Sequence, residues 1–256
     1  MRIALAQINP LVGDLEGNAS LILEATKQAV KSKVDLVVTP ELSLLGYPPR
    51  DLLLQPSLKN RQIKILDQLS KEVPEGINIL VGVSERRDDI GHPNQFNSAA
   101  LINDGSWKVV ARKRLLPTYD VFDERRYFQP SDKPWLINLE CDDRTWKIAL
   151  TLCEDLWVKD DIHIYRLAGC DPIKDFESLN PDLLVNLSAS PFSQGKLKLR
   201  RELASSASAR LKCPVLYINQ VGGNDELVFD GGSFVTEKQG NINQQLAFAE
   251  SDLKIW

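Results

Sequence analysis

Apolar positions along the chain follow two different periods. Short unbroken runs at Arg2–Gln7 (RIALAQ), Leu36–Thr39, Asn78–Val83, Trp146–Leu152, Leu183–Asn186 and Val215–Asn219 have the length and β-branched content of strands buried on both faces. Between them lie stretches of helical period. One is Asn18–Lys31, with Leu21, Ile22, Ala25, Ala29 and Val30 apolar and Asn18 as the expected cap; another is Leu58–Leu69, striped by Ile63, Leu66 and Leu69. A third, Lys196–Leu211, ends before Pro214. Ser98–Ile102 and Trp107–Ala111 flank Asn103-Asp104-Gly105 and predict a hairpin. From Leu227 to Glu250 apolar and polar residues alternate, with turns at Gly231-Gly232 and Gly240, which predicts antiparallel sheet.

Strands alternating with helices predict an α/β fold. The pair Arg2–Gln7 and Asp35–Val38 (DLVV) recurs as Lys147–Leu152 (KIALTL) and Asp182–Val185 (DLLV). This is either a degenerate repeat of a strand–helix–strand unit or a chance likeness between buried strands of common composition. As a repeat, it favours two similar sheets face to face with helices outside, a four-layer α-β-β-α sandwich.

Composition narrows the classes. The 256 residues carry 31 Lys and Arg against 35 Asp and Glu, a net charge of −4, with 43% hydrophobic residues. That excludes a disordered chain, a collagen and a coiled coil, and a slightly acidic balance argues against a nucleic-acid clamp. No apolar run approaches the roughly 20 residues of a membrane span, and the N-terminus reads as a first strand rather than a leader. No low-complexity linker divides the chain, so residues 1–256 are expected to form one domain. Cys141, Cys153, Cys170 and Cys213 form no CxxC pair, which points to a reducing cytoplasm. With only His92 and His163, and no recognisable metal spacing between His163 and Cys170, no metal site is expected and a Ser-His-Asp triad has little material.

Chemistry-bearing candidates sit at strand ends. Cys153 follows the strand ending at Leu152 and precedes Glu154 and Asp155. Most lone cysteines are inert core residues, but a buried thiol rarely stands against two carboxylates. Glu41 leaves a strand end through Pro40; a solvated loop carboxylate is the ordinary alternative. Lys113 lies between Arg112 and Arg114, and strand alternation directs it opposite to both; a basic solvated edge is the alternative.

Taken together, Glu41, Lys113 and the Cys153-Glu154-Asp155 run resemble the nitrilase (carbon–nitrogen hydrolase) superfamily. The Ala4–Gln7 strand, the Pro40-Glu41 turn and Gly231-Gly232-Ser233-Phe234 extend that likeness over nearly the whole chain. Lys113–Phe128 (KRLLPTYDVFDERRYF), Leu42–Leu53 (LSLLGYPPRDLL) and Cys153–Trp157 (CEDLW) are similar, within it, to the glutaminase domain of glutamine-dependent NAD synthetases.

The resemblance implies that Cys153 is the nucleophile attacking an amide carbon, Glu41 the general base and Lys113 the cation beside the tetrahedral oxyanion, where a positioned donor is worth roughly 3 kcal/mol. It implies Glu124 as a second carboxylate orienting the lysine or the substrate; an ion pair with Arg125 or Arg126 accounts for it equally. Lys113 is expected to favour the Cys153 thiolate. For L-glutamine, the resemblance implies Tyr119, Ser190 and Lys196 around the amino-acid head, Lys196 taking the α-carboxylate and Glu154 the α-ammonium. The family often has Arg where Lys196 stands, and a plain first-turn helix residue is the alternative. Trp157 walls the pocket or simply fills the core. No cofactor is needed for hydrolysis; ATP and Mg²⁺ belong to a C-terminal synthetase domain whose Ser-Gly-Gly-x-Asp-Ser loop does not occur here. That domain, expected to be absent, would receive the ammonia, and at least a dimer is expected. The rival readings are an amidase for another small amide or carbamoyl compound, and a non-catalytic interaction domain of the same fold.

Overall fold

The computed structural model describes residues 1–158 and 170–256, so His163 lies outside the described residues. The first sheet joins β1 (Ile3–Gln7), β2 (Leu36–Val38), β3 (Asn78–Arg86), β4 (Gln95–Asn103), β5 (Ser106–Arg112) and β14 (Asp252–Ile255) in the order β14-β1-β2-β3-β4-β5. The second joins β6 (Trp135–Cys141), β7 (Arg144–Leu152), β8 (Leu183–Ser188), β9 (Val215–Asn219), β12 (Phe234–Thr236) and β13 (Ile242–Gln245) in the order β13-β12-β9-β8-β7-β6. A separate hairpin pairs β10 (Val221–Asn224) with β11 (Leu227–Asp230). Helices α1 (Leu15–Val30) and α2 (Pro56–Glu72) cover the first sheet; α3 (Pro172–Glu177) and α4 (Lys196–Leu211) cover the second.

Four layers require three apolar seams, and the strands supply them by alternation. Ile3 and Leu5 of β1 join Leu36, Val38, Leu150, Val185 and Ile218 between the sheets. Ala4 and Ala6 turn the other way, against Ile22 and Leu66 of the helices. Ala149, Leu184 and Tyr217 meet Leu203 and Ala207 of α4. Every residue of β1, β2, β8 and β9 is therefore buried, as their unbroken apolar runs require.

The internal likeness is a repeat of structure. Strand for strand, β14-β1-β2-β3-β4-β5 matches β6-β7-β8-β9-β12-β13: one antiparallel pair, two parallel pairs, two antiparallel pairs. The repeated residues make the same bonds. Asp35 N–H donates to Arg2 O and Asp182 N–H to Lys147 O, both at 2.8 Å, while each aspartate carboxylate accepts the backbone N–H of Arg2 or Lys147.

Three expectations need correction. Helix α1 starts at Leu15, capped by Asp14, whose Oδ1 accepts the Gly17 N–H at 2.9 Å. Asn18 lies inside it, buried; its amide bonds both the N–H and the C=O of Leu11, at 2.8 Å each, and so pins the preceding loop. Helix α2 starts at Pro56, because proline's missing N–H costs nothing in a first turn. Strand β6, which the apolar runs did not disclose, pairs with β7 through the two-residue turn Asp142-Asp143. Both aspartates have positive φ, 52° and 56°, the geometry that lets a two-residue turn follow strand twist.

Candidate active site

The loops after β2, β5, β7 and β8 converge, and each delivers one part of a buried polar cluster. Such strand ends are where α/β sheets ordinarily carry their chemistry. Glu41 is held against the sheet because Gly82 of β3 has no side chain; a Cβ there would lie 2.3 Å from Pro40 O and 2.2 Å from Leu42 N. Gly82 N–H donates to Ser43 Oγ at 3.2 Å and Gly82 O accepts Leu44 N–H at 3.0 Å, so the turn is fastened from both sides.

Glu41 is fully buried. Its Oε1 accepts from Lys113 Nζ at 2.8 Å and Asn97 Nδ2 at 2.7 Å, and its Oε2 accepts the Ala189 N–H at 3.0 Å. Lys113 Nζ also donates to Glu124 Oε1 at 2.8 Å, which further accepts the Tyr47 hydroxyl at 2.8 Å. One ammonium thus lies between two carboxylates. Burial alone would lower the Lys113 pKa, yet Glu124 and Glu41 hold it well above the ordinary lysine value. Burial pushes the Glu124 carboxyl up to about 7 against the pull of Lys113. Its ion pair is with Lys113, not with Arg125 or Arg126. The basic run is no solvated edge either: Arg112 bonds Glu85 and Arg114 bonds Asp175.

Cys153 opens a short 3₁₀ turn with φ of 42°, a left-handed conformation uncommon for a residue with a side chain. Asp155 sustains it. Its Oδ2 accepts Leu152 N–H at 3.0 Å, and its Oδ1 accepts the N–H groups of Arg114 and Leu115 at 2.9 and 2.8 Å. One buried carboxylate therefore joins the loop bearing the thiol to the loop bearing Lys113. Asp155→Ala leaves these buried donors unpaired, and is expected to lower stability by about 3 kcal/mol in urea unfolding. A shift below about 1 kcal/mol would show that the loops hold without it.

At the thiol, Lys113 acts in the expected direction, against larger opposing effects. Burial, then the charge of Glu41, push Cys153 well above the ordinary thiol value, and Lys113 does not reverse this. The surroundings of Cys153 thus favour the neutral thiol over the thiolate.

Beside the cluster is a cavity of about 580 Å³ whose walls include Tyr119, Trp157 and Lys196. The Tyr119 hydroxyl donates to Glu154 Oε1, while the buried Glu154 Oε2 has no partner among the described residues. Burial raises the Glu154 pKa. Lys196 Nζ lies 5.3 Å from the Trp157 ring centroid. Trp157 is buried, and its Nε1 has no hydrogen-bond partner among the described residues. Ser190 is set deeper than expected: it is buried behind Pro191, its Oγ accepting from Arg200 Nε at 3.1 Å, and it does not line the cavity.

Asn97 and Tyr47 were not among the residues anticipated. A signal for Asn97 exists in the chain, a lone amide within the strand run Phe96–Ile102, where an unpaired polar group would be costly. Tyr47 carries no such signal; only the folded turn brings its hydroxyl to Glu124.

Comparison with known proteins bears on the family and the fold. The carbon–nitrogen hydrolase family model matches residues 2–255. The glutamine-dependent NAD(+) synthetase of Synechocystis sp. is 43% identical over 256 residues, covering 99% of this chain and 45% of the relative. That of Thermotoga maritima is 37% identical over 247 residues, covering 94% and 39%. The structure of the Acinetobacter baumannii glutamine-dependent NAD+ synthetase superposes with a TM-score of 0.86 at 36% identity, over 99% of this chain and 44% of that one. An amidase from Nesterenkonia sp. shares the fold, with a TM-score of 0.79 at 22% identity, over 100% and 89%. The chain spans about half the length of the synthetases it matches. With its doubled sheet and its Glu41, Lys113 and Cys153 meeting at strand ends, the chain belongs to the carbon–nitrogen hydrolase family.

Proposed function

We propose that residues 1–256 form a glutamine amidohydrolase domain, releasing ammonia for ATP-dependent amidation of deamido-NAD in a synthetase domain like that of the relatives. The observation that carries this reading is Cys153 within electrostatic reach of Glu41 and Lys113 in the buried Glu41–Lys113–Glu124 cluster, followed by Glu154, whose partner Tyr119 walls a cavity that Lys196 also lines.

The Cys153 thiol adds to the amide carbon as its proton passes to Glu41. The carbonyl oxygen gains the charge and is stabilised by the Lys113 ammonium. Glu41 returns the proton to the amide nitrogen, the C–N bond breaks and ammonia departs, leaving a thioester. Glu41 then takes a proton from water as its oxygen attacks. The C–S bond breaks, the thiol regains its hydrogen and glutamate leaves. Glu124, with Tyr47, keeps the ammonium aimed between the two carboxylates. Glu154, whose Oε2 has no hydrogen-bond partner among the described residues, takes the α-ammonium, and Lys196 the α-carboxylate.

The test is ammonia release from L-glutamine by the purified chain, with asparagine, simple aliphatic amides and nitriles as comparisons, and mass spectrometry of Cys153. Selective glutamine hydrolysis with a glutamyl thioester on Cys153 is expected. Turnover of simple amides with glutamine refused would favour the small-amide reading. No adduct with any amide would favour a non-catalytic domain.

A further inference from the structure

Arg200 is fully buried on α4, one helical turn beyond Lys196, and all its N–H donors are spent. Nε donates to Ser190 Oγ at 3.1 Å. Nη1 donates to both carboxylate oxygens of Asp230, at 2.7 and 2.9 Å. Nη2 donates to the backbone oxygens of Ser190 and Pro191, at 2.7 and 2.8 Å. None of these hydrogen bonds is to Cys153, Glu41 or Lys113. What they reach is the start of the segment that walls the cavity.

That segment runs from Pro191 to Lys196, and the opposite wall is Glu226–Val228 of the β11 strand and its turn. Two kinds of bond join the walls: Phe192 N–H donates to Val228 O at 2.7 Å, and Arg200 binds the carboxylate of Asp230, two residues further along β11. Asn219 adds support, its Oδ1 accepting Ser190 N–H and its Nδ2 donating to Ser190 O and Gly231 O. A desolvated guanidinium is costly unless every donor is met, so a geometry that meets them all is rigid. Rigidity here fixes the width of the cavity and the place where α4, with Lys196 at its first residue, begins.

We infer that Arg200, locked by Asp230, is a positioning residue that sets selectivity for an amino-acid head group by holding Ser190 and Pro191, the root of the Pro191–Lys196 wall, against β11. The inference rests on the proposed glutaminase reading. It differs from a general role in folding because it predicts a defect confined to ligands that carry the head group.

The experiment compares two alkylating probes of Cys153 in the full chain: the diazoketone analogue of L-glutamine, which has the amino-acid head, and iodoacetamide, which lacks it. Arg200→Lys keeps the charge but cannot span both backbone oxygens and Asp230. Its alkylation by the glutamine analogue is expected to slow at least tenfold, while its rate with iodoacetamide changes less than threefold. In turnover, KM for glutamine should rise more than kcat falls. If Arg200→Lys does not fold, the paired Arg200→Met, Asp230→Leu variant removes both charges without leaving one stranded, and the same ratio is read. An unchanged rate with the glutamine analogue, or an equal loss with both probes, overturns the inference. A wild-type chain that ignores the glutamine analogue but reacts with iodoacetamide overturns the glutaminase reading itself.

Discussion

Cys153→Ala is expected to lower glutamine turnover by roughly 10⁴-fold or more while leaving the fold intact, because no other group can form the covalent intermediate. The substitution removes one sulfur from a site whose backbone is fixed by Asp155, and alanine at φ of 42° is no worse placed than cysteine. The other thiols provide the contrast. Cys213 is buried beneath α4, Cys141 is half-buried at the turn between β6 and β7, and Cys170 is exposed. Their alanine variants should keep turnover within about twofold, with Cys213→Ala losing about 1 kcal/mol of stability as a small core truncation. The measurements are ammonia release under saturating glutamine and far-UV circular dichroism of each variant. Turnover above about a hundredth of wild type in Cys153→Ala would remove the thioester from the mechanism.

Lys113→Met should damage two separate quantities. The ammonium is the only cation bonded to Glu41 and Glu124 among the described residues, and both carboxylates are buried. Removing it strands negative charge in the interior, a defect worth about 3–5 kcal/mol, and removes the oxyanion partner, costing turnover at least 10²-fold. The stability defect should depend on pH in a definite direction. Glu124 already sits at about 7 in the folded chain, above the roughly 4.3 of an unfolded glutamate, and losing Lys113 drives it higher. A carboxyl raised on folding binds more protons folded than unfolded. Its contribution is fully present below the unfolded value and is lost as pH climbs through the folded value. The urea midpoint of Lys113→Met should therefore rise from pH 8 to pH 6, and more steeply than that of wild type. A midpoint independent of pH over that interval would mean that neither carboxylate is stranded, and that the cluster is wetter than its burial implies.

The layers were readable because burial on both faces leaves an unmistakable trace: Ile3–Gln7 and Leu183–Ser188 contain almost nothing polar. The helices were readable too, but not their starts. Asn18 looked like a cap by residue type, whereas its amide serves the Leu11 loop and Asp14 does the capping. The strand Trp135–Cys141 escaped because its inward residues, Ile137 and Leu139, alternate with Asn138 and Glu140 at a two-sheet edge, and its turn lacks glycine. At the site, Glu41, Lys113 and Cys153 stand at strand ends that topology brings together, so residue type and position singled them out, while their roles, and Glu124 altogether, came from the family resemblance. At Cys153 the pull of Lys113 was legible, and the larger push of burial was not. A cation beside a thiol suggests a thiolate, but the balance depends on depth and on Glu41, which only packing decides. Nothing in the helical run Lys196–Leu211 marks Arg200 as buried; its partner is Asp230, thirty residues away.

Strand β1 is bonded on one side to β2 and on the other to β14, so Ala4 faces Ile255 across the whole length of the chain. For a polypeptide emerging from the ribosome this order has a cost in time. Five strands of the first sheet are available once Arg112 is made, yet β1 keeps an open hydrogen-bonding edge until β14 has emerged. Glu41 and Lys113 belong to the early-made part and Cys153 to the late one, so the nascent chain acquires the proposed base and cation before the proposed nucleophile. The raw edge of β1 is the surface through which an incomplete chain would pair with a neighbour, and a chaperone that shields strand edges during synthesis would have its natural target there.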